Sequence, residues 1–257
     1  MLLINAIQVK KKNRSPAVAG FILGILVQSP AQAGSLSLEK DPQLKDVGRI
    51  VGSVRLEGHF EKPGPLPVYK NRDFCGPQVP NESLLVGPRR GLQNVVLIIS
   101  GAGRVAGENQ VKNLVLDNKN CAFVPHVQVA PVGSEILLLN SDPILHDVHA
   151  RLGSETLFNE GLPTWRQVKK RLTRTGIVTI QCEVLHTWMS AYIVVTSSPY
   201  FAVTDKEGAF VIEGVPAGTH KIEVWHEKLG KQSKNVTVVS GDILRTDFVY
   251  RLDKRGT

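Results

Sequence analysis

Sulfur and aromatic rings are scarce in this chain: three cysteines, two methionines, and aromatic residues at 6% of 257. An odd cysteine count excludes a framework in which every cysteine pairs within the chain, and leaves one thiol for other chemistry. After residue 33 no stretch approaches the roughly 20 apolar residues that a membrane-spanning helix needs. Helical periodicity is missing too, apart from a weak signal near Leu162–Leu172, which argues against an α-helical domain. There is no low-complexity tract and no short repeat, so a solenoid or a disordered tail is not indicated. No nucleophile–base–orienter set and no paired-carboxylate signature stands out, so the chain is not expected to be an enzyme.

The N-terminus sets the expected compartment. Lys10, Lys11, Lys12 and Arg14 precede the apolar run AVAGFILGILV (17–27), and Ala31-Gln32-Ala33 follows it. Basic, then apolar, then small is the order of a secretory signal peptide, and this apolar run is too short to span a bilayer. Residues 1–33 are therefore expected to be removed, leaving a periplasmic or secreted chain with no transmembrane segment. The leader carries four of the 31 basic residues and none of the 23 acidic ones, so the formal charge falls from +8 to +4. So mild an excess does not argue for nucleic acid. The basic run Lys169-Lys170-Arg171 with Arg174 reads as a solvated face, or as a docking patch for an acidic redox partner.

The remainder reads as β throughout. Short β-branched runs recur between Gly and Pro turns: Arg49–Leu56, Asn94–Ser100, Val111–Leu116, Val127–Ala130, Glu135–Asn140, Ile177–Cys182, Tyr192–Thr196, Ala209–Glu213, Lys221–Trp225, Asn235–Val239 and Thr246–Tyr250. That spacing predicts an all-β sandwich or barrel. Two units are expected, one over 47–198 and a smaller one over 199–252, which would be marginal alone and should pack on the first.

One cluster carries chemistry. In Ile177–Cys182 the side chains alternate, so Cys182 points the same way as Val178 and Ile180. The loop Glu183-Val184-Leu185-His186-Thr187-Trp188-Met189 follows, giving Cys-x3-His-x2-Met. Thiolate, thioether and imidazole together select copper, and a methionine is a poor zinc ligand. A second imidazole must come from elsewhere, and His146 or His149, after the run Glu135–Asn140, is the source. Three residues apart on an extended strand, they face opposite ways. At most one reaches the metal, and spacing alone does not choose between them.

These segments resemble the cupredoxins, the plastocyanin and amicyanin family. Asn140-Ser141-Asp142 before Leu145-His146-Asp147-Val148 is similar to that family's first ligand segment. Gly176–Cys182 with His186-Thr187-Trp188-Met189 is similar to the second. The resemblance covers roughly residues 91–198 and implies a Greek-key β-sandwich. It also implies one copper ion per chain, held by His146, Cys182, His186 and Met189, and one-electron transfer with a redox partner protein. Two departures stand out. Three residues separate Cys182 from His186 where short-loop cupredoxins have two. Asp147 stands where the family usually has Asn, a residue that ties the two ligand loops together. The dinuclear copper site of cytochrome oxidase needs a second loop cysteine, absent here. The C-terminal unit resembles a carboxypeptidase regulatory-like (transthyretin-like) β domain through Tyr200–Asp205, Gly208, Phe210 and Gly214-Val215-Pro216-Ala217-Gly218. That likeness implies no peptidase activity.

Alternatives to electron transfer are a copper-binding or delivery protein and a metal-free extracellular binding module. With Cys182 assigned to metal, Cys75 and Cys121 are expected to form a disulfide stapling the Pro-rich segment 62–80 onto the sandwich. Free thiols, or a pairing through Cys182, are the competing readings. His126 is expected to be structural, His226 to lie at the surface or the domain contact, Trp188 to shield the site, and an exposed His186 edge to pass the electron.

Overall fold

Alternation of apolar and polar residues turns nearly every β-branched run into a strand, as in Glu135–Asn140, where Ile136, Leu138 and Asn140 point inward and the intervening residues are half-buried. The computed structural model describes residues 46–103 and 111–252. The expected leader, residues 1–33, lies outside them. The all-β class is what the chain forms.

The first sandwich pairs a five-stranded sheet with a four-stranded one. The larger runs in the order Glu155–Leu162, His146–Leu152, Gly176–Gln181, Ser190–Thr196, Val127–Pro131. The smaller runs Gln167–Arg171, Glu135–Asn140, Asn113–Lys119, Ala122–Val124. Val127–Pro131 lies parallel to Ser190–Thr196, and Asn113–Lys119 parallel to Glu135–Asn140. Strands close in sequence thus cross between sheets, as a Greek key requires. Between the sheets Leu116, Ile136 and Leu138 meet Val148, Ile180 and Ile193 in one core.

The weak helical signal near Leu162–Leu172 is overturned. Those residues end one strand and form another, Gln167–Arg171, whose exposed and half-buried residues alternate. Pro163 and a left-handed Trp165 break the chain between them. Among the described residues no helix is long and apolar enough to cross a membrane.

The second sandwich is not contiguous in sequence. Val47–Glu57 pairs antiparallel with Ala209–Pro216 and parallel with Ile243–Arg245 and Phe248–Arg251. Val96–Ser100 pairs antiparallel with Phe201–Val203 and Gly218–His226. Both strands had been expected in the first unit. The physical reason is area: residues 199–252 alone cannot bury enough apolar surface, and two N-terminal strands complete their core. Ile50, Val54, Leu97, Ile99, Phe210, Ile222 and Phe248 share that core.

The described residues belong to one compact unit. Alternation along single strands links the layers. Leu97 and Ile99 face the second core, while Val96 and Ile98 face Val127, Val129, Val194 and Trp225 in an apolar layer between the sandwiches. Val194 belongs to that layer, whereas Ile193 and Val195 face the first core.

Candidate metal centre

Three of the four expected ligands meet at one end of the first sandwich. Cys182 follows the last residue of Gly176–Gln181 and His146 opens the neighbouring strand His146–Leu152, so the pairing of these strands, which runs to Gln181 with His149, brings both residues to the same end of the sheet. The loop then folds back and delivers His186. The Nδ1 atoms of His146 and His186 are 3.0 Å apart, and Cys182 Sγ lies 3.9 Å from the first and 3.6 Å from the second. Among the described residues this trio forms the one compact group of three His, Cys or acidic side chains able to share an ion. Metal–nitrogen and metal–sulfur bonds of roughly 2.0 and 2.3 Å in a trigonal arrangement hold their ligand atoms about 3.5–3.8 Å apart. The triangle is close to that size, so the residues fit a single small metal ion. One thiolate and two imidazoles are the donor set that suits copper.

Both histidines are fully buried and Cys182 is 2% exposed. Burial pushes the Cys182 thiol up to about 12, against the opposing pull of the Asp147 and Val184 backbone N–H groups. Burial, joined by the neighbouring His146, pulls His186 down to about 4. A neutral His186 ring is the form that ligates.

The outer nitrogens of both rings are occupied. His146 Nε2 is 3.0 Å from Asp142 Oδ2. Burial works to raise the Asp142 carboxyl, but His146 and the N–H groups of Cys121 and Asn120 outweigh it and hold it below its ordinary value. His186 Nε2 is 2.8 Å from Asn71 Oδ1. With Nε2 protonated, each ring would donate outward and leave its Nδ1 lone pair for an ion shared with Cys182, the arrangement that fixes tautomer and orientation in metal sites.

Asp147 ties the two segments of the site together. Its Oδ1 accepts from the backbone N–H of Glu183 and, at 3.1 Å, of Val184, and its own N–H points at Cys182 Sγ from 3.5 Å. Within the loop Leu185 adopts φ 69°, a left-handed conformation costly for a leucine. Met189 is 2% exposed, shares the core cluster with Cys182, and donates its N–H to the His186 carbonyl at 2.9 Å. Trp188 is buried against the ring of His186, with centroids 5.0 Å apart, and its Nε1 donates to the Cys121 carbonyl at 3.1 Å.

His149 faces away from the trio, as strand alternation requires. Its Nε2 accepts from Arg151 at 3.2 Å and its Nδ1 lies 2.6 Å from Glu183 Oε1. His126 is structural: it is buried, bonds the Ser190 carbonyl at 3.0 Å and pairs with Glu227. One expectation is narrowed and another corrected. Of the two places expected for His226, the surface is excluded and the domain contact stands: it is 1% exposed, lies beside the Tyr250 ring and precedes Glu227, which pairs with His126. His186 offers no exposed edge, because Asn71 and Trp188 cover it. Cys75 and Cys121 form the expected disulfide, and Cys182 is free. Asn71 and Asp142 carried no ligand signal in sequence. Only Asp142, four residues before His146, lay close enough to be noticed.

Neither a protein family nor a curated protein matches the chain. Solved structures with similar regions include the copper-containing nitrite reductase NirK from Thermus scotoductus SA-01, 21% identical over 33% of this chain and 22% of its own, with a TM-score of 0.31. A purple cupredoxin from Nitrosopumilus maritimus is 20% identical over 33% of this chain and 98% of its own, at 0.29. A reduced amicyanin variant is 20% identical over 39% and 98%, at 0.30.

Proposed function

We propose that this chain is an exported, non-enzymatic copper protein of cupredoxin type, holding one ion through His146, Cys182, His186 and Met189 and exchanging single electrons with a redox partner protein. The observation that carries this reading is the preformed triangle of two Nδ1 atoms and one Sγ, with both outer ring nitrogens already held. Bound copper supplies a one-electron couple between Cu(I) and Cu(II). The protein's own part is to keep the ligands still. Asp142, Asn71 and Asp147 hold them from outside, and burial excludes water. Little then has to rearrange when charge changes, which favours fast exchange. Metal binding must displace the proton that burial keeps on Cys182.

The disulfide supports an oxidising compartment. Leu145 and Leu185, each just before a histidine ligand, are 50% and 63% exposed. Apolar side chains on the rim of the centre suit a transient protein partner. The second sandwich is read as a non-catalytic module, in keeping with its likeness to carboxypeptidase regulatory-like domains.

Cu(II) titration of the metal-free protein tests the reading. One equivalent should bind and produce a strong thiolate-to-copper band in the visible. The band should vanish in Cys182→Ser, and in Met189→Leu it should persist with an altered reduction potential, since an axial ligand tunes the potential. A colourless protein without tight copper binding would overturn the proposal.

A further inference from the structure

We propose that residues 66–79 form a latched cap over the His186 side of the metal centre, with Asn71 as the residue that positions His186 and the Cys75–Cys121 disulfide as the latch. The inference rests on the metal-centre reading above and adds a device to it.

The cap has a base, a tip and a tether. Its base is the two-stranded ribbon Leu66–Pro67 with Gln78–Val79, anchored by Val79 and by the adjacent Val68, both buried in the first core. The tip is the short helix Arg72–Cys75, entered through Asn71 in a left-handed conformation. An asparagine at that position ordinarily turns its side-chain oxygen onto the N–H groups of its own helix. Here no such bond forms, and the oxygen lies 2.8 Å from His186 Nε2 instead. Residues 71–74 are exposed, whereas His186 beneath them is fully buried. So thin a cover stays in place only if tethered, and the tether is four residues away at Cys75.

Cys121, at the other end of the latch, bonds the outer partner of His146 and the indole that packs on His186. Its N–H donates to Asp142 Oδ2 at 2.8 Å, the same oxygen that holds His146. Its carbonyl accepts from Trp188, which packs on the ring of His186. The disulfide thus joins the cap to the point where the supports of His146 and His186 converge. Opening the latch takes a dithiol reductant. Two electrons and two protons pass to the protein, the Cys75–Cys121 bond breaks to two thiols, and the reductant closes its own disulfide. With the tether gone, Asn71 leaves His186 Nε2, and the centre opens to metal exchange.

The test uses the full mature chain, metal-free and copper-loaded, as wild type, Asn71→Ala, Asn71→Asp and Cys75→Ala/Cys121→Ala. Three quantities are read: the rate of Cu(I) loss to bathocuproine disulfonate, the rate of Cys182 reaction with a maleimide in the metal-free protein, and the His186 tautomer by nitrogen NMR. Asn71→Ala and the latch-free variant should raise both rates at least tenfold and release the Nε2-protonated tautomer. Asn71→Asp, which keeps an acceptor, should restore wild-type behaviour. Rates within twofold of wild type and an unchanged tautomer in Asn71→Ala would overturn the cap. Because that variant keeps the disulfide, it decides the role of Asn71 even if the latch-free protein fails to fold; the latch is then decided by wild type treated with dithiothreitol, where rates within twofold of the oxidised protein would overturn it. Faster maleimide reaction in a protein that binds no copper would uphold the cap and sink the metal reading. Tight copper binding with unchanged rates would do the reverse.

Discussion

At the scale of single residues, the centre depends on side chains that touch no metal. Asp147 is the clearest. Its carboxylate satisfies two loop N–H groups while its backbone N–H approaches the ligand sulfur. Leaving buried donors without a partner costs about 1–3 kcal/mol each. Asp147→Ala is expected to lower the stability of the metal-free protein by about 2–3 kcal/mol in urea unfolding, whereas Asp147→Asn, which retains an acceptor, should cost less than about 1 kcal/mol. Equal losses in the two variants would show that the carboxylate's charge matters more than its oxygen. The choice between His146 and His149 shows how a residue-level rule reads a site. Period-two alternation put them on opposite faces without choosing between them; the resemblance named His146, and the structure sets its Nδ1 beside Cys182 and His186 while His149 meets Glu183 and Arg151.

At the scale of elements, strands were legible and their partners were not. Val47–Glu57 was visible as a β-branched run, yet it pairs with strands about 160 and 200 residues onward. Its Gly52 is required by that pairing. A Cβ there would sit 1.8 Å from the carbonyl oxygen of Thr246. Backbone cannot yield as a side-chain tip does, so Gly52→Ala should cost at least about 2 kcal/mol, read as a lower urea midpoint. The disulfide acts on the same scale. It joins cysteines 46 residues apart, and closing a loop of that size removes unfolded-chain entropy worth about 4 kcal/mol. Cys75→Ala/Cys121→Ala should lose up to that amount, and a loss below about 1 kcal/mol would mean that the native state relaxes or the unfolded state stays compact.

Across the whole molecule, the two sandwiches are joined by an apolar layer and a buried ion pair. His126 lies in the first and Glu227 follows the strand Gly218–His226 of the second, with side chains 7% and 5% exposed. Burial works to lower His126, but Glu227, with Glu82 and the Ser190 carbonyl, outweighs it and raises the histidine above its ordinary 6.5. Its contribution is therefore complete below about 6.5 and is lost as the pH rises through the folded value. His226 does the opposite. Burial pulls it down to about 4, so its contribution is present above 6.5 and is lost as the pH falls toward 4, up to roughly 3 kcal/mol. Urea midpoints of the metal-free protein from pH 4 to 8 should show both limbs. His226→Gln should make the acid limb shallower, leaving the share of His186, which burial also pulls down to about 4, and His126→Gln should flatten the alkaline one. Unchanged limbs would mean that these histidines do not set the pH response.

The sequence by itself determined the β class, left one cysteine of three unpaired and grouped the soft donors, because alternation, cysteine parity and the softness of sulfur and imidazole are local properties of the chain; that Cys75 bonds Cys121 was decided by the fold. Cys182, His186 and Met189 sit within eight residues of one another, so their grouping needed no fold. The tertiary structure decided what lies outside the ligands. Asn71 reaches His186 across 115 residues of sequence, and the second sandwich takes strands from the far end of the chain. Hydrogen bonds between distant segments leave no periodic or compositional trace, since one asparagine on an exposed turn looks like any other until the fold sets a histidine beneath it.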